Sequence, residues 1–482
     1  MPFDPQQFWL LLPEITLVVA GCLVLLIGTA GRDRAGATLT MFSLLATLAL
    51  VVWVQSEVPD SKLILAGLFV IDRFALFWKV LFLIATGLTV VFSESFLARD
   101  NYRASEYYAL LLFATCGMLL MVSGFSLLSI WIALELMALS SYVLVGYFKR
   151  ELRSNEAALK YFVLGALSSG ILLYGISLLY GATGTVQLAE LAAALPGVAS
   201  ESGVILTLGW LLLTIGLLFK VAAVPFHVWT PDVYVGAPTP VTGYLAVASK
   251  AASFAILVRI LFQGLPAAAV DWQWLLAAVA IVTMIWGNLA ALTQTNVKRM
   301  LAYSSVAHAG YVLIGVLAAT DEGLWAVIFY LLAYSFITLG AFGTVILLEQ
   351  REYAGETYAD YAGLARRSPI LAAMMLVFMI ALTGIPPTGG FVGKIYLFAA
   401  AVEAGWIWVA VVGVLTSAVS LYYYLGIVVY MYLREGDEAT PAPLRSPALV
   451  GAVACCAVVT VILGLVPGPL IELAKNSLIP LP

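Results

Sequence analysis

Fourteen stretches, each long enough and apolar enough to cross a bilayer, follow one another along this chain with little sequence between them. A membrane span needs about 20 predominantly apolar residues, because ~30 Å of hydrocarbon is crossed at 1.5 Å per residue. The runs lie near 8–29, 36–55, 74–95, 107–124, 126–148, 156–181, 204–231, 238–262, 272–294, 299–319, 322–349, 369–401, 405–433 and 446–471. Barrel strands, which alternate in polarity over ~10 residues, do not fit runs of this length. Only 10% of the 482 residues are charged, against about 25% in soluble proteins. The expected fold is an all-α polytopic membrane protein forming a single integral membrane domain over 1–482.

The basic residues test that count. With alternating spans, Arg32, Arg34, Arg99, Arg103, Lys149, Arg150, Arg153, Lys298, Arg299, Arg351, Arg366, Arg367, Arg434 and Arg445 fall on one side. Only Lys62, Arg73, Arg259 and Lys475 fall on the other. By the positive-inside rule the first side is cytoplasmic and both termini face outward. No basic run is long enough for a nucleic-acid partner. The opening MPFDPQQ lacks a basic n-region and a cleavage site, so the first run is read as an anchor rather than a signal peptide.

Five lysines remain, all inside spans: Lys79, Lys160, Lys220, Lys250 and Lys394. An ionised lysine at mid-bilayer costs ~2.5–3.5 kcal/mol even on the lenient insertion scale. Lys79 is two turns from its helix start, where snorkelling and burial are equally open. Lys160 is about a turn inside span six. Lys250 lies half-way along span eight, Lys220 ends a long apolar stretch in span seven, and Lys394 follows an interruption in span twelve. These three point to function.

Glu135, in SIWIALELMALSSYVLVGYF, is the one carboxylate clearly at mid-span. It is either half of a structural ion pair or the partner that sets a buried lysine's proton affinity. Desolvation weakens an ammonium's hold on its proton and a nearby carboxylate strengthens it. Glu14 is nearer the outer end of its helix, where an interfacial role is expected. The four cysteines sit in apolar runs without a C-x-x-C pair, and no Walker-type loop is present. The two histidines, His227 and His308, are too few for a pair of bis-histidine haems.

Two spans carry helix breakers. Pro225 and Pro231 interrupt span seven, and Pro386 and Pro387, with Gly384, Gly389 and Gly390, interrupt span twelve. Irregular backbone at membrane depth persists only where protein or a hydrated cavity surrounds it. YVLVG from Tyr142 and YVLIG from Tyr311 lie 169 positions apart. This pairing indicates two five-helix repeats, spans four to eight (106–262) and nine to thirteen (272–433). A three-span segment (1–105) precedes them and a C-terminal span (446–471) follows. An odd number of spans per repeat inverts the second against the first. The offset sets Ser304 opposite Glu135 and Ile328 opposite Lys160, so only the first repeat holds the acid–base pair.

The segments IALELMALSSYVL, PFHVWTPDVYVGAPTPV, TQTNVKRMLAYSSVAHAGYVLIG and TGIPPTGGFVGK are long and specific. Through them the chain resembles the antiporter-like subunits of respiratory complex I, a family shared with multisubunit cation/proton antiporters. Lys394 stands where subunit M would have a glutamate, and the long lateral helix of subunit L is not expected. The resemblance implies a proton-translocating membrane-arm subunit of an NADH–quinone oxidoreductase, with the equivalent subunit of a cation/proton antiporter as the alternative. It implies a modulating pair, Glu135 and Lys220, and an axis through Lys160 and Lys250 to Lys394. His308 and Ser304 could join that axis, though a core histidine held by hydrogen bonds fits His308 equally, and His227 reads as a packing residue. NADH, flavin, iron–sulfur clusters and quinone would be handled by other subunits, with no cofactor or metal bound here. The partners implied are the other membrane-arm subunits, including the other antiporter-like ones, and the lipid bilayer of a bacterial plasma membrane.

Overall fold

The structure, a computed structural model, describes residues 5–31, 33–99, 102, 104–350, 355–436, 443–444 and 446–479, without the side chains of 5, 6, 33, 34, 99, 199–202, 269 and 270. Arg32, Arg103, Arg351 and Arg445 lie outside the described residues, as do the side chains of Arg34 and Arg99.

The first three spans are α1 (Leu12–Thr29), α2 (Asp33–Glu57) and α3 (Arg73–Arg99). The next five begin with α4 (Ala104–Ser123), α5 (Leu127–Val145), α6 (Leu152–Thr183) and α7 (Leu188–Lys220). After a break come α8 (Trp229–Gly236), α9 (Thr239–Tyr244) and α10 (Lys250–Arg259), the last two joined by a π-turn at Leu245–Ser249. Next are α11 (Ala269–Leu292), α12 (Val297–Leu317), α13 (Asp321–Leu348) and a short α14 (Leu364–Arg367). The chain finishes with α15 (Pro369–Thr383), α16 (Gly389–Glu403), α17 (Ile407–Leu433), α18 (Pro447–Leu465) and α19 (Gly468–Lys475).

Among the described residues, thirteen helices are long and apolar enough to cross a membrane alone. The expected span twelve is the successive pair α15 and α16, fifteen residues each, which completes the fourteen. Boundaries follow local chemistry. The Asn296 side chain accepts from Arg299 N at the start of α12, and Thr320 from Gly323 N at the start of α13. Gly384 ends α15 in the left-handed region at φ +88°, where a side chain would be strained.

The continuous helix Thr239–Gly264 is wholly enclosed, and α12 and α13 are nearly so. By contrast α1, α2, α17 and α18 turn apolar side chains such as Leu26, Phe42, Leu415 and Val458 outward, as a lipid-facing ring does. In such a body every backbone polar group must find its partner within the protein. The first break meets this through Val224 N donating to Thr283 Oγ1 (2.9 Å) and Trp229 Nε1 to Phe219 O (3.1 Å).

Several expectations change. Pro231 breaks nothing, because it lies in the first turn of α8, where a proline's missing N–H is tolerated; the interruption is 221–228 and contains Pro225. Short strands do occur, β1 (Lys62–Ile64) pairing antiparallel with β2 (Phe69–Ile71) in the α2–α3 connection. Arg259, counted with the outer-side cations, is not exposed at the end of its span. It is fully buried and grips Asp72 through two bonds, Nη1 to Oδ2 at 2.8 Å and Nη2 to Oδ1 at 3.0 Å.

Glu14 and Lys79 face each other. Both are buried and form an ion pair at 2.6 Å, joining α1 to α3. With Asp72 seven residues before Lys79, one face of α3 carries both ties, to α1 and to α10. Removing one member of a buried pair strands the other charge, a loss of about 3–5 kcal/mol, whereas replacing both with apolar groups is near neutral. Lys79→Met should therefore sharply lower the temperature at which the assembled subunit is lost on native gels. Adding Glu14→Leu should recover most of that loss; a double variant as weak as the single would show that the charges themselves are required.

Candidate functional site

Six basic side chains are buried among the described residues: Lys79, Lys220, Lys250, Arg259, Lys298 and Lys394. Three of them have a carboxylate within reach. Lys79 has Glu14, Arg259 has Asp72, and Lys298 has Glu356 at 3.6 Å. Lys220, Lys250 and Lys394 have none within 4.0 Å among the described residues. All three contact neutral oxygens instead.

Lys220 is the last residue of α7, and its Nζ lies 3.5 Å from the Tyr142 hydroxyl on α5. Tyr142 reaches that place because α6 has Gly165 beside it; a Cβ there would sit 2.1 Å from the tyrosine oxygen. Tyr142 also packs edge-on to Tyr161, which stacks on Trp229 at 4.7 Å, so the ring column leads to the start of α8.

Lys250 begins α10 directly after the π-turn. A π-turn shifts the helical register by one residue and is frequent at functional sites. The Lys250 ammonium donates to the Ser305 carbonyl at 2.7 Å and to the Ser305 hydroxyl.

Lys394 is the sixth residue of α16 and reaches back across the second break. Its three donors are met by Leu382 O (2.8 Å), Thr383 O (2.9 Å) and Ser417 Oγ (2.8 Å). A cation here also faces the negative end of the α15 dipole. Gly384 permits the approach, since a Cβ at that position would meet Lys394 Cδ at 2.9 Å. Pro386 and Pro387 occupy the exposed outside of the same break.

Between Lys250 and Lys394 runs a polar network through α12. Ser304, next to Ser305, hydrogen-bonds the Tyr424 hydroxyl, which lies 3.0 Å from His308 Nε2; His308 Nδ1 meets the Tyr330 hydroxyl. Neighbouring Tyr423 donates to Asn288 Oδ1 (2.9 Å), and Asn288 Nδ2 donates to Tyr311 Oη (3.1 Å). The Tyr311 ring lies under the Lys394 ammonium at 4.8 Å. Ser304 and His308 were expected here; Tyr330, Tyr423, Tyr424 and Asn288 were not. A lone asparagine in an otherwise apolar span was the available signal, since a buried amide needs partners.

The other two expected residues stand apart. Glu135 is half-buried and accepts from Ser169 Oγ, to which Trp131 Nε1 also donates at 3.0 Å. It forms no ion pair within 4.0 Å among the described residues, so the direct Glu135–Lys220 contact is not made; two turns of α5 separate it from Tyr142. Lys160 is not enclosed as Lys220, Lys250 and Lys394 are. Its side chain is 42% exposed and bonds Asp232 and Glu156, both at 2.7 Å. It borders a polar cleft of 360 Å³ lined by Arg153, Asp232, Asn296 and Arg299. Here Arg299 faces Asp232 at 3.4 Å, and Lys298 and Arg153 approach Glu356 at 3.6 and 3.8 Å. His227 packs near Trp286, its ring centroid 6.4 Å away.

Known proteins share this architecture. The family described as NADH:quinone oxidoreductase/Mrp antiporter, TM matches residues 124–420. NADH-quinone oxidoreductase subunit N of Trichlorobacter lovleyi is 42% identical over 98% of both chains. Subunit N 2 of Rhizobium meliloti is 44% identical over 96% of both. A chain of respiratory complex I from Thermus thermophilus, solved with bound aureothin, superposes with a TM-score of 0.82 at 36% identity, covering 96% of this chain and 100% of that one. A chain of the Mrp complex from Dietzia sp. gives 0.85 at 27% identity, covering 98% and 96%. Both breaks and all three lysines without a counter-ion fall inside the matched segment, and the chain belongs to the NADH:quinone oxidoreductase/Mrp antiporter family of membrane subunits, among its subunit N members.

Proposed function

We propose that this chain moves protons across an energised membrane as a membrane-arm subunit of an NADH–quinone oxidoreductase, along an axis through Lys220, Lys250 and Lys394. One observation carries the reading: three buried ammonium groups lie on interrupted or π-widened helices, and each is held by neutral oxygens alone. An unpaired charge in a low-dielectric interior is costly. Such a group gives up or accepts a proton with small changes around it, whereas one locked to a carboxylate does not.

The chain's own residues divide the work. Lys250, Ser304, Tyr424, His308 and Tyr330 form a relay of exchangeable protons, and the carbonyls at the end of α15 stabilise the charged form of Lys394. Glu135 acts at a distance through Tyr142, which shares α5 with it and touches Lys220. A neighbouring subunit that perturbs Glu135 or Ser169 would thereby alter the proton affinity of Lys220. Lys160, Asp232 and Arg299 form the solvent-facing mouth on the face that gathers most of the basic residues. The size is sufficient, since each proton moved against 100 mV requires about 2.3 kcal/mol.

The same reading assigns NADH, flavin, iron–sulfur clusters and quinone to other subunits, and the other membrane-arm subunits as partners. It takes the two five-helix units as inverted repeats and sets both termini on the outer side of a plasma membrane. The likeness to the Mrp chain supports a second reading, the equivalent subunit of a cation/proton antiporter complex. Isolation of the chain together with a quinone-reducing peripheral arm decides between them.

Variants at four positions test the axis. Lys220→Met should leave assembly intact and abolish most NADH-driven acidification of inverted vesicles, and Glu135→Ala should impair it strongly; full pumping in either would remove that residue from the path. Lys250→Arg should assemble better than Lys250→Ala yet still pump poorly, because arginine does not release its proton; wild-type pumping would exclude deprotonation of Lys250. Tyr424→Phe removes the hydroxyl between Ser304 and His308, and pumping should slow roughly tenfold, equivalent to about 1.4 kcal/mol in the barrier. An unchanged rate would place the relay elsewhere.

A further inference from the structure

On the far side of the molecule from the polar cleft, a groove of 620 Å³ opens between α2, α3, α13, α18 and α19. That is within the ~300–1,000 Å³ range of small-molecule sites. Its polarity is graded. The mouth holds Gln55 at the end of α2, Arg73 at the start of α3, and Asn476 just past α19. Deeper in, the walls are Val80, Ile84, Phe336, Val459 and Leu463.

The depth can be read from α3. Eleven residues separate Arg73 from Ile84, about 16 Å at 1.5 Å per residue. One leaflet of a ~30 Å hydrocarbon core is about 15 Å thick. The groove therefore begins at headgroup level and ends at the bilayer midplane. α18 agrees, since Leu463 and Val459 lie in the last two turns before that helix ends at Leu465.

Arg73 is exposed and has no carboxylate within 4.0 Å among the described residues. It is one of the few cations on a face where membrane proteins carry few, and the proposed proton path makes no use of it. Trp9 and Trp53, 5.5 Å apart and both exposed, mark the same interfacial level beside the α2 edge.

We propose that this groove is a binding site for one phospholipid, its acyl chain between α3, α13 and α18 and its phosphate on Arg73 and the Asn476 amide. Water cannot fill an apolar cleft at this depth, and leaving it empty would forfeit the dispersion contacts of every wall residue. A lipid tail supplies them. Because lipid tails are as apolar as leucine, the tail gains little from leaving the bilayer. Selection of one bound molecule rests on the headgroup, where a guanidinium meets phosphate through charge-assisted bonds.

The test uses the intact complex in mild detergent, with native mass spectrometry counting phospholipids bound to this subunit. The wild type should retain one, and Leu332→Trp, which fills the groove, should retain none. Arg73→Gln should lose it about tenfold faster on washing, as expected for one charge-assisted contact. Re-addition of phosphatidylglycerol should raise the melting temperature of delipidated wild type and leave that of Leu332→Trp unchanged. A photo-crosslinking residue at Ile84 should yield a phospholipid adduct. A protein adduct at that position would overturn the proposal by showing that a neighbouring subunit covers the groove, and a lipid count unchanged in both variants would overturn it as well.

Discussion

Three ammonium groups enclosed by protein and touched only by hydroxyl, carbonyl and phenolic oxygens are the constraint around which the rest of this molecule is organised. Each needs oxygens at membrane depth: the Tyr142 phenol on α5 serves Lys220, and the Ser305 hydroxyl and carbonyl on α12 serve Lys250. For Lys394 the chain meets the need by breaking a helix, whose last carbonyls have no partner in their own ladder. α15 stops at Thr383 and leaves Leu382 and Thr383 oxygens free for Lys394. α7 stops at Lys220 itself, and the freed backbone that follows is met from α11 and Trp229. Next to Lys250 the departure is milder, a π-turn rather than a break.

The paired cations show what the unpaired ones are not. Lys79 with Glu14 ties α3 to α1, and Arg259 with Asp72 ties the start of α3 to α10. These pairs hold helices in register, and their charges are matched within 3 Å. Matched charge is a poor proton carrier, because the carboxylate stabilises the very state that must be left. The segregation is spatial as well. The two closest pairs sit around α3, and the unmatched row runs through α7, α10 and α16, all of it inside the family segment 124–420.

Much of this was legible in the chain. Span number follows from the length of apolar runs, and fourteen crossings result once α15 and α16 are taken together. Lys220, Lys250 and Lys394 stood out because a charge in oil is costly wherever it occurs. The misread residues share a cause: linear position measures depth along a helix but not the direction of a side chain. Lys160 is two turns inside α6 yet turns toward Asp232 and solvent, while Lys79, equally near its helix start, turns inward to Glu14. Arg259, near the end of its expected span, was counted with the outer-side cations, but its helix is enclosed to its end. The tyrosine–asparagine network was hidden for a different reason. Tyrosine is common in membrane helices, and only the meeting of α11, α12, α13 and α17 gathers separate phenols into two hydrogen-bonded sets that pack together at Tyr423 and Tyr424.

The separation of Glu135 from Lys220 bears on how such an axis can be switched. A contact ion pair would bind the proton on Lys220 firmly and would have to be pulled apart at each cycle. In the proposed axis, with Tyr142 on α5 touching Lys220, the carboxylate would act through field and through the phenol's orientation, both of which change with small displacements of α5 against α6. The Glu135–Ser169–Trp131 cluster spans that same helix pair, and Gly165 allows the two helices to approach closely enough for Tyr142 to reach Lys220. A push on the exposed face of α5, where Ile132, Leu139 and Val143 point outward, would therefore be felt at Lys220 without any buried charge being stripped of its partner.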